Sequence, residues 1–139
     1  MLTVTKKHTF ELPIDELWDI LGDFGNTGKW SGRPSEACVH EGKGIGSIRT
    51  LTISDGRVVI DKLEAQTDYS YSYSLLSGPL PYSTYRATMA VHAIDNARTE
   101  FSWTGEFEMT EMSDDEGVAF TENVYTMGID MMKATISKL

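Results

Sequence analysis

Apolar positions along this chain recur with two periods. From Leu2 to Glu11 they alternate with polar residues, marked by Val4 and Phe10, and this predicts a first strand. Pro13 suits the first turn of a helix, where its missing N–H costs nothing. Ile14, Leu17, Trp18 and Leu21 follow at i, i+3, i+4 and i+7, one helical stripe ended by Gly22 or Gly25. The Gly-rich stretch from Asp23 to Trp30 has room for one more helical turn before an irregular segment through Pro34. Beyond Glu36 the period returns to two. Strands are predicted at Ala37–His40, Ser47–Ser54, Arg57–Ala65, Tyr69–Leu76, Thr84–Ile94 and Thr99–Met109, with turn residues between them. Val124, Met127 and Met131, together with Ile129, Met132 and Ile136, return to helical spacing, so a long helix is expected over Val118–Leu139 with Gly128 in its middle.

Short connections make the strands an antiparallel meander. The expected fold class is α+β: a curved seven-stranded antiparallel sheet wrapped around a long C-terminal helix, with one or two short helices after the first strand. Residues 1–139 are expected to form a single domain. One helix cannot cover seven strands, so the sheet must curl, and the space left is either filled by large side chains or remains a cavity.

Composition narrows the function classes. The 139 residues carry 12 Lys+Arg against 21 Asp+Glu, a net charge of -9 that repels a phosphate backbone and an anionic membrane surface, so neither nucleic acid nor membrane is an expected partner. Lone Cys38 can form no internal disulfide, and no Cys/His spacing suits a zinc site; no metal or cofactor is expected. The N-terminus lacks the apolar block of a secretion signal, which points to a cytoplasmic protein. The longest uncharged stretch, Tyr69 to Tyr85, is broken by Gly78, Pro79 and Pro81 and cannot be a spanning helix. Glu106, Glu108, Glu111, Asp114, Asp115 and Glu116 lie close together without a basic residue, which reads as a solvated loop.

Six local sequences stand in a recognisable order: Phe10-Glu11-Leu12-Pro13-Ile14-Asp15-Glu16-Leu17-Trp18; Asp23-Phe24-Gly25 followed by Trp30; Gly44-Ile45-Gly46-Ser47-Ile48-Arg49; Asp61-Lys62-Leu63; Gly78-Pro79-Leu80-Pro81 with Tyr85; and Trp103-Thr104-Gly105-Glu106-Phe107. Together they resemble the START-like, helix-grip (SRPBCC) superfamily, and within it the small polyketide cyclase/dehydrase-type branch. The resemblance implies a hydrophobic-ligand pocket between the sheet and the C-terminal helix. Plant abscisic-acid receptors belong to the same superfamily; Ser54-Asp55-Gly56 stands where their gate loop would be, and Gly78-Pro79-Leu80-Pro81-Tyr82 where their latch would be. The gate is shorter and lacks Ser-Gly-Leu-Pro, and the latch lacks His-Arg-Leu, so hormone sensing and phosphatase docking are not implied.

Strand periodicity nominates the pocket lining. Tyr71, Tyr73 and Leu75 share one face, as do Tyr85, Ala87, Met89 and Val91, and Phe101, Trp103, Gly105 and Phe107. Trp103 and Tyr85 match ligand-contacting positions of the resembling receptors, and Leu80 and Tyr82 come with the latch. From the helix, Phe120, Val124, Gly128 and Met131 or Met132 are expected to face the sheet. Gly128, costly inside a helix, either makes room for a ligand or allows close helix–sheet contact.

Arg49 and Asp61 are the polar candidates, with Leu51 beside them. A two-residue Asp55-Gly56 turn would set Arg49 opposite Lys62 and put Asp61 on the other face. A three-residue connection or a bulge would set Leu51 opposite Asp61 and Arg49 opposite Leu63. The resemblance, in which both positions point inward, favours the second. His8, His40 and His92 lie on separate strands without a nucleophile motif and read as surface or edge residues.

The expected function is binding of a small hydrophobic or aromatic molecule, as a carrier or sensor. One alternative is a polyketide cyclase/dehydrase-like enzyme in the same cavity, with Arg49 polarising a carbonyl, Asp61 as general base and Tyr73, Tyr82 or Tyr85 as donors to an enolate. The other is a structural or protein-interaction domain with a filled cavity. Open sheet edges also permit a homodimer.

Overall fold

The computed structural model describes residues 1–53 and 55–139. Strand β1 (Leu2–Phe10) leads into helix α1 (Ile14–Leu21), the single turn α2 (Gly28–Ser31) and a 3-10 turn at Ser35–Ala37. Strands β2 (Cys38–Glu41), β3 (Ile48–Thr52), β4 (Val58–Thr67), β5 (Ser70–Ser77), β6 (Tyr82–Ala93) and β7 (Thr99–Met109) follow, and helix α3 (Asp114–Ile136) closes the chain. The strands form one antiparallel sheet in the order β1-β7-β6-β5-β4-β3-β2.

Helix α3 begins before Val118, and the acidic run is not one loop. Glu106 and Glu108 project from β7, whereas Asp114, Asp115 and Glu116 form the first turn of α3. Ser113 caps that turn: its hydroxyl accepts from the Glu116 N–H, and the Glu116 carboxylate accepts from the Ser113 N–H. These acids sit where the helix dipole favours negative charge.

Register decides which side chains reach the concave face. Arg49 pairs directly with Asp61, and Leu51 with Val59, so neither register read from the sequence occurs. The connection is symmetric about residue 55: the Ile53 N–H donates to the Arg57 carbonyl, and Asp55 accepts from the Arg57 N–H in an Asx turn. A turn centred on a residue, and not between two, puts Arg49 and Asp61 on the same face. Two register shifts between β4 and β5, at Ile60/Asp61 and at Leu63/Ala65, add the local twist expected of bulges and help to curl this part of the sheet.

Helix α3 packs on β1, β7 and α2. The side chains it buries are Thr121, Tyr125, Ile129 and Met132, with Gly117 and Gly128 completing the stripe. Of the expected face, Gly128 and Met132 are buried, whereas Phe120 and Met131 are only partly buried and Val124 is 37% exposed, so the most deeply buried stripe is rotated from the one expected. Small residues explain the choice. A side chain on Gly105 would run into the Tyr125 hydroxyl, and one on Gly128 would place Cβ 2.6 Å from the Trp103 ring. Close helix–sheet contact is thus the role of Gly128, and Trp103 stacks on Tyr125 with centroids 4.3 Å apart. Among the described residues, no helix is long and apolar enough to cross a membrane.

Candidate ligand cavity

Beyond the Trp103–Tyr125 contact, helix and sheet part and leave a cavity of about 280 Å³. Fourteen of the residues nominated from the sequence stand on its wall. Arg49 and Leu51 come from β3, Asp61 from β4, and Tyr73 and Leu75 from β5. Leu80 comes from the β5–β6 connection; Tyr82, Tyr85 and Met89 come from β6, and Trp103 from β7. Phe120, Val124, Gly128 and Met131 belong to α3. Tyr71, Ala87, Val91, Phe101, Gly105 and Phe107, nominated by the same alternation, are absent from the wall and lie in or beside the core behind it. The wall reaches exposed Met127, Val124 and Pro34, which mark its opening. Of the expected gate, Ser54 lies outside the described residues; Thr52 and Ile53 border the cavity just before it.

The sequence reading missed Trp30, Cys38, Val59, Met127 and Arg33, which also line the cavity. Val59 was recoverable, because it shares the alternation that selects Asp61. Trp30 and Arg33 sit in an irregular stretch without a period to show their direction. Their placement comes from the turn at α2, whose C-cap Gly32 adopts a left-handed conformation with φ 72.

The polar focus of the wall is a buried ion pair. Arg49 Nε donates to Asp61 Oδ2 at 3.0 Å, and the two side chains are 3% and 4% exposed. Arg49 Nη1 donates to the Phe24 carbonyl at 3.2 Å and to the Tyr71 hydroxyl at 3.4 Å. The guanidinium also lies between aromatic rings, with Cζ 4.4 Å from the Phe24 centroid and 4.6 Å from that of Tyr73. Burial opposes the charge on Arg49, but Tyr71, Asp61 and Tyr73 outweigh it and hold its pKa above the ordinary value. Burial pushes the Asp61 carboxyl upward, and Arg49 offsets only part of that. Two desolvated charges are rarely a net gain in stability over apolar packing of the same volume.

A second polar group runs along the helix side. Trp103 Nε1 donates to the Tyr73 hydroxyl at 3.3 Å, and the hydroxyls of Tyr85 and Tyr125 lie 2.5 Å apart. Burial drives Tyr85 well above the usual phenol range, and neighbouring Tyr73 and Tyr125 add to the shift. These hydroxyls are therefore neutral hydrogen-bonding groups at physiological pH. His40 and His92 are exposed and His8 is partly buried, each on a different strand, and none of them lines the cavity. Among the described residues, no three metal-ligating side chains converge on one point.

Comparison with known proteins agrees with this layout. The polyketide cyclase/dehydrase and lipid transport family matches residues 1–137, and the chain belongs to that family. No curated protein sequence matches it. Among solved structures, XoxI from Bacillus cereus superposes with a TM-score of 0.83 at 23% identity, covering 98% of this chain and 96% of its own. A START superfamily protein from Mycobacterium smegmatis gives a TM-score of 0.81 at 10% identity, covering 98% and 97%. The ZhuI aromatase/cyclase from Streptomyces sp. R1128 gives 0.72 at 15% identity, covering 99% and 92%. At such identities the likeness establishes the START-like helix-grip fold that the sequence resembles.

Proposed function

We propose that this chain binds one small hydrophobic or aromatic molecule in the cavity between its sheet and α3, as a carrier or sensor. The observation that carries this reading is the cavity itself. At about 24 cal/mol per Å³, an empty space of about 280 Å³ would cost roughly 7 kcal/mol, an upper bound for one that opens to solvent. A fold with a typical margin of about 5–15 kcal/mol gains nothing structural from such a space. Its size is near the lower end of the roughly 300–1,000 Å³ usual for ligand pockets, so a molecule of about two fused rings fits it better than a long acyl chain.

A second reading, a cyclase-type enzyme, draws support from Arg49, Asp61 and the Tyr73 and Tyr85 hydroxyls lying on the wall of one cavity. Positioning a flexible substrate against such groups is a recognised route to rate enhancement. The description of ZhuI as an aromatase/cyclase is in keeping with it.

The test uses the neutral dye N-phenyl-1-naphthylamine, whose fluorescence rises in apolar surroundings. Saturable binding of one dye per chain is expected, weakened about tenfold or more by Leu51→Phe, which fills the cavity from β3. Absence of saturable binding by the folded wild-type chain would overturn the reading.

A further inference from the structure

Beside the cavity, the sheet does not close. Strands β5 and β6 pair from Ser70 with Ala90 to Ser74 with Arg86, and among the described residues the pairing goes no further. Both strands nevertheless continue, each held by its outer neighbour: Leu75 and Ser77 pair with β4, and Tyr82, Thr84 and Tyr85 pair with β7. Leu76 is an extra residue opposite β4, and Ser83 an extra residue opposite β7, so each strand carries a bulge on the side away from the other. Bulges bend a strand and end regular pairing. Two of them back to back open a seam, and residues 75–78 and 82–85 line the hollow it leaves.

The seam is polar, and it meets the cavity. Ser77, Gly78, Ser83 and Thr84 are exposed along it. The Val91 N–H donates to the Tyr69 carbonyl, so alternate residues of β6, Met89, Ala87 and then Tyr85, turn the same backbone edge toward β5. Met89 and Ala87 are paired there with Tyr71 and Tyr73, but Tyr85 and Leu75 are not paired with one another. The Tyr85 N–H therefore needs water as its partner. Leu75, Tyr82 and Tyr85 border both the seam and the cavity, and the two spaces meet at these residues. Their openings differ in chemistry. Met127, Val124 and Pro34 give the mouth an apolar rim that suits an apolar ligand, whereas serine, glycine, threonine and unpaired backbone in the seam suit water. A ligand that fills the cavity must displace the water within it. We infer that the seam between β5 and β6 is a second passage into the cavity, by which water leaves as an apolar ligand enters through the mouth and returns as the ligand departs. This inference rests on the ligand-binding reading above and adds the path of exchange.

Two measurements test it. In the wild-type chain, amide hydrogen exchange at Tyr85 is expected to be at least about tenfold faster than at Ala87 and Met89, its neighbours on the same edge of β6. Exchange at Tyr85 as slow as at those two would mean that the seam is shut in solution, and it overturns the inference without any variant. The second measurement bridges the seam from its exposed side, with Leu76→Cys and Thr84→Cys in a Cys38→Ser background and dibromoacetone as a short, non-fluorescent cross-linker. Stopped-flow binding of N-phenyl-1-naphthylamine is compared before and after bridging of the same protein. Association and dissociation rates are expected to fall together, each by roughly three- to tenfold, with the dissociation constant unchanged, because a passage alters the path and not the bound state. Rates unchanged by bridging, or a change confined to the dissociation rate, overturn the inference and leave the ligand-binding reading intact. Failure of the wild-type chain to bind the dye overturns both.

Discussion

Under α3, the β1–β7–β6 side and the β5–β4–β3 side of the sheet are built differently. On the first, Gly105 and Gly128 bring helix and sheet together, Tyr125 and Trp103 stack, and Phe101, Phe107 and Met132 are fully buried. On the second, α3 no longer covers the sheet, bulges help to curl β4 and β5, and the wall carries the Arg49–Asp61 pair. The core side is closed by omitting side chains at two positions. The cavity side stays open although its wall is equally apolar at Leu51, Leu75 and Val59. Hydrophobic residues are common to both sides, so what separates them is how closely the backbones can approach.

Alkaline titration should break this contrast with the largest effect. Tyr71, Tyr73, Tyr82, Tyr85 and Tyr125 all have pKa values raised, chiefly by burial. The native state then holds protons that the unfolded chain releases above about pH 10, so their contribution is fully present below that pH and is lost as pH rises through the folded values. The loss reaches about 1.4 kcal/mol per pH unit for each phenol that remains protonated. Arg49 partly offsets burial at Tyr71 and Tyr73, whereas no cation does so at Tyr85 or Tyr125. Phenolate absorbance is expected to appear cooperatively with unfolding above pH 10, and circular dichroism should follow it. Five phenols ionising near pH 10 in a chain that stays folded would show that these hydroxyls are not buried as described.

The ion pair gives the next effect. Asp61→Ala strands a desolvated guanidinium and is expected to cost about 3–5 kcal/mol, read from the urea midpoint. Replacing both partners, Arg49→Met with Asp61→Leu, should recover most of that loss, because similar swaps elsewhere are neutral or stabilising. A single substitution costing less than about 1 kcal/mol would mean that the pair is hydrated, and the contrast between a dry core and a charged cavity wall would fail.

Strand number and strand positions were legible in the sequence because period-two alternation survives wherever one face of a sheet is buried. The start of α3 was written there too, as Ser113 and Glu116 at capping-box spacing, but it was obscured by the acids around it, whose charge reads equally well as a loop. The face of α3 was harder to read. Hydrophobicity favours the stripe with Val124 and Met127, yet the sheet takes the stripe with Gly117, Thr121 and Gly128, since close approach rewards small side chains. The Arg49–Asp61 pairing depended on the centre of one turn, and a shift of one residue would have separated the two. Trp30 had no local signal, for its place depends on contacts such as the Thr135 hydroxyl donating to its backbone carbonyl across the fold.

Equal additions of volume on the two sides provide the finest test. Gly105→Ala adds one methyl where the Tyr125 hydroxyl already lies, so Tyr125 must move, its 2.5 Å contact with Tyr85 must change, and overpacking should cost about 1–3 kcal/mol. Leu51→Phe adds more carbon, but into open space, and should leave stability within about 1 kcal/mol of wild type while weakening dye binding. Urea denaturation and dye titration on the two variants therefore give opposite patterns: lost stability on the core side, lost affinity on the cavity side. If Leu51→Phe destabilises the chain as much as Gly105→Ala does, the space beside β3 is already full in solution, and the close approach made by the two glycines does not distinguish one side of the sheet from the other.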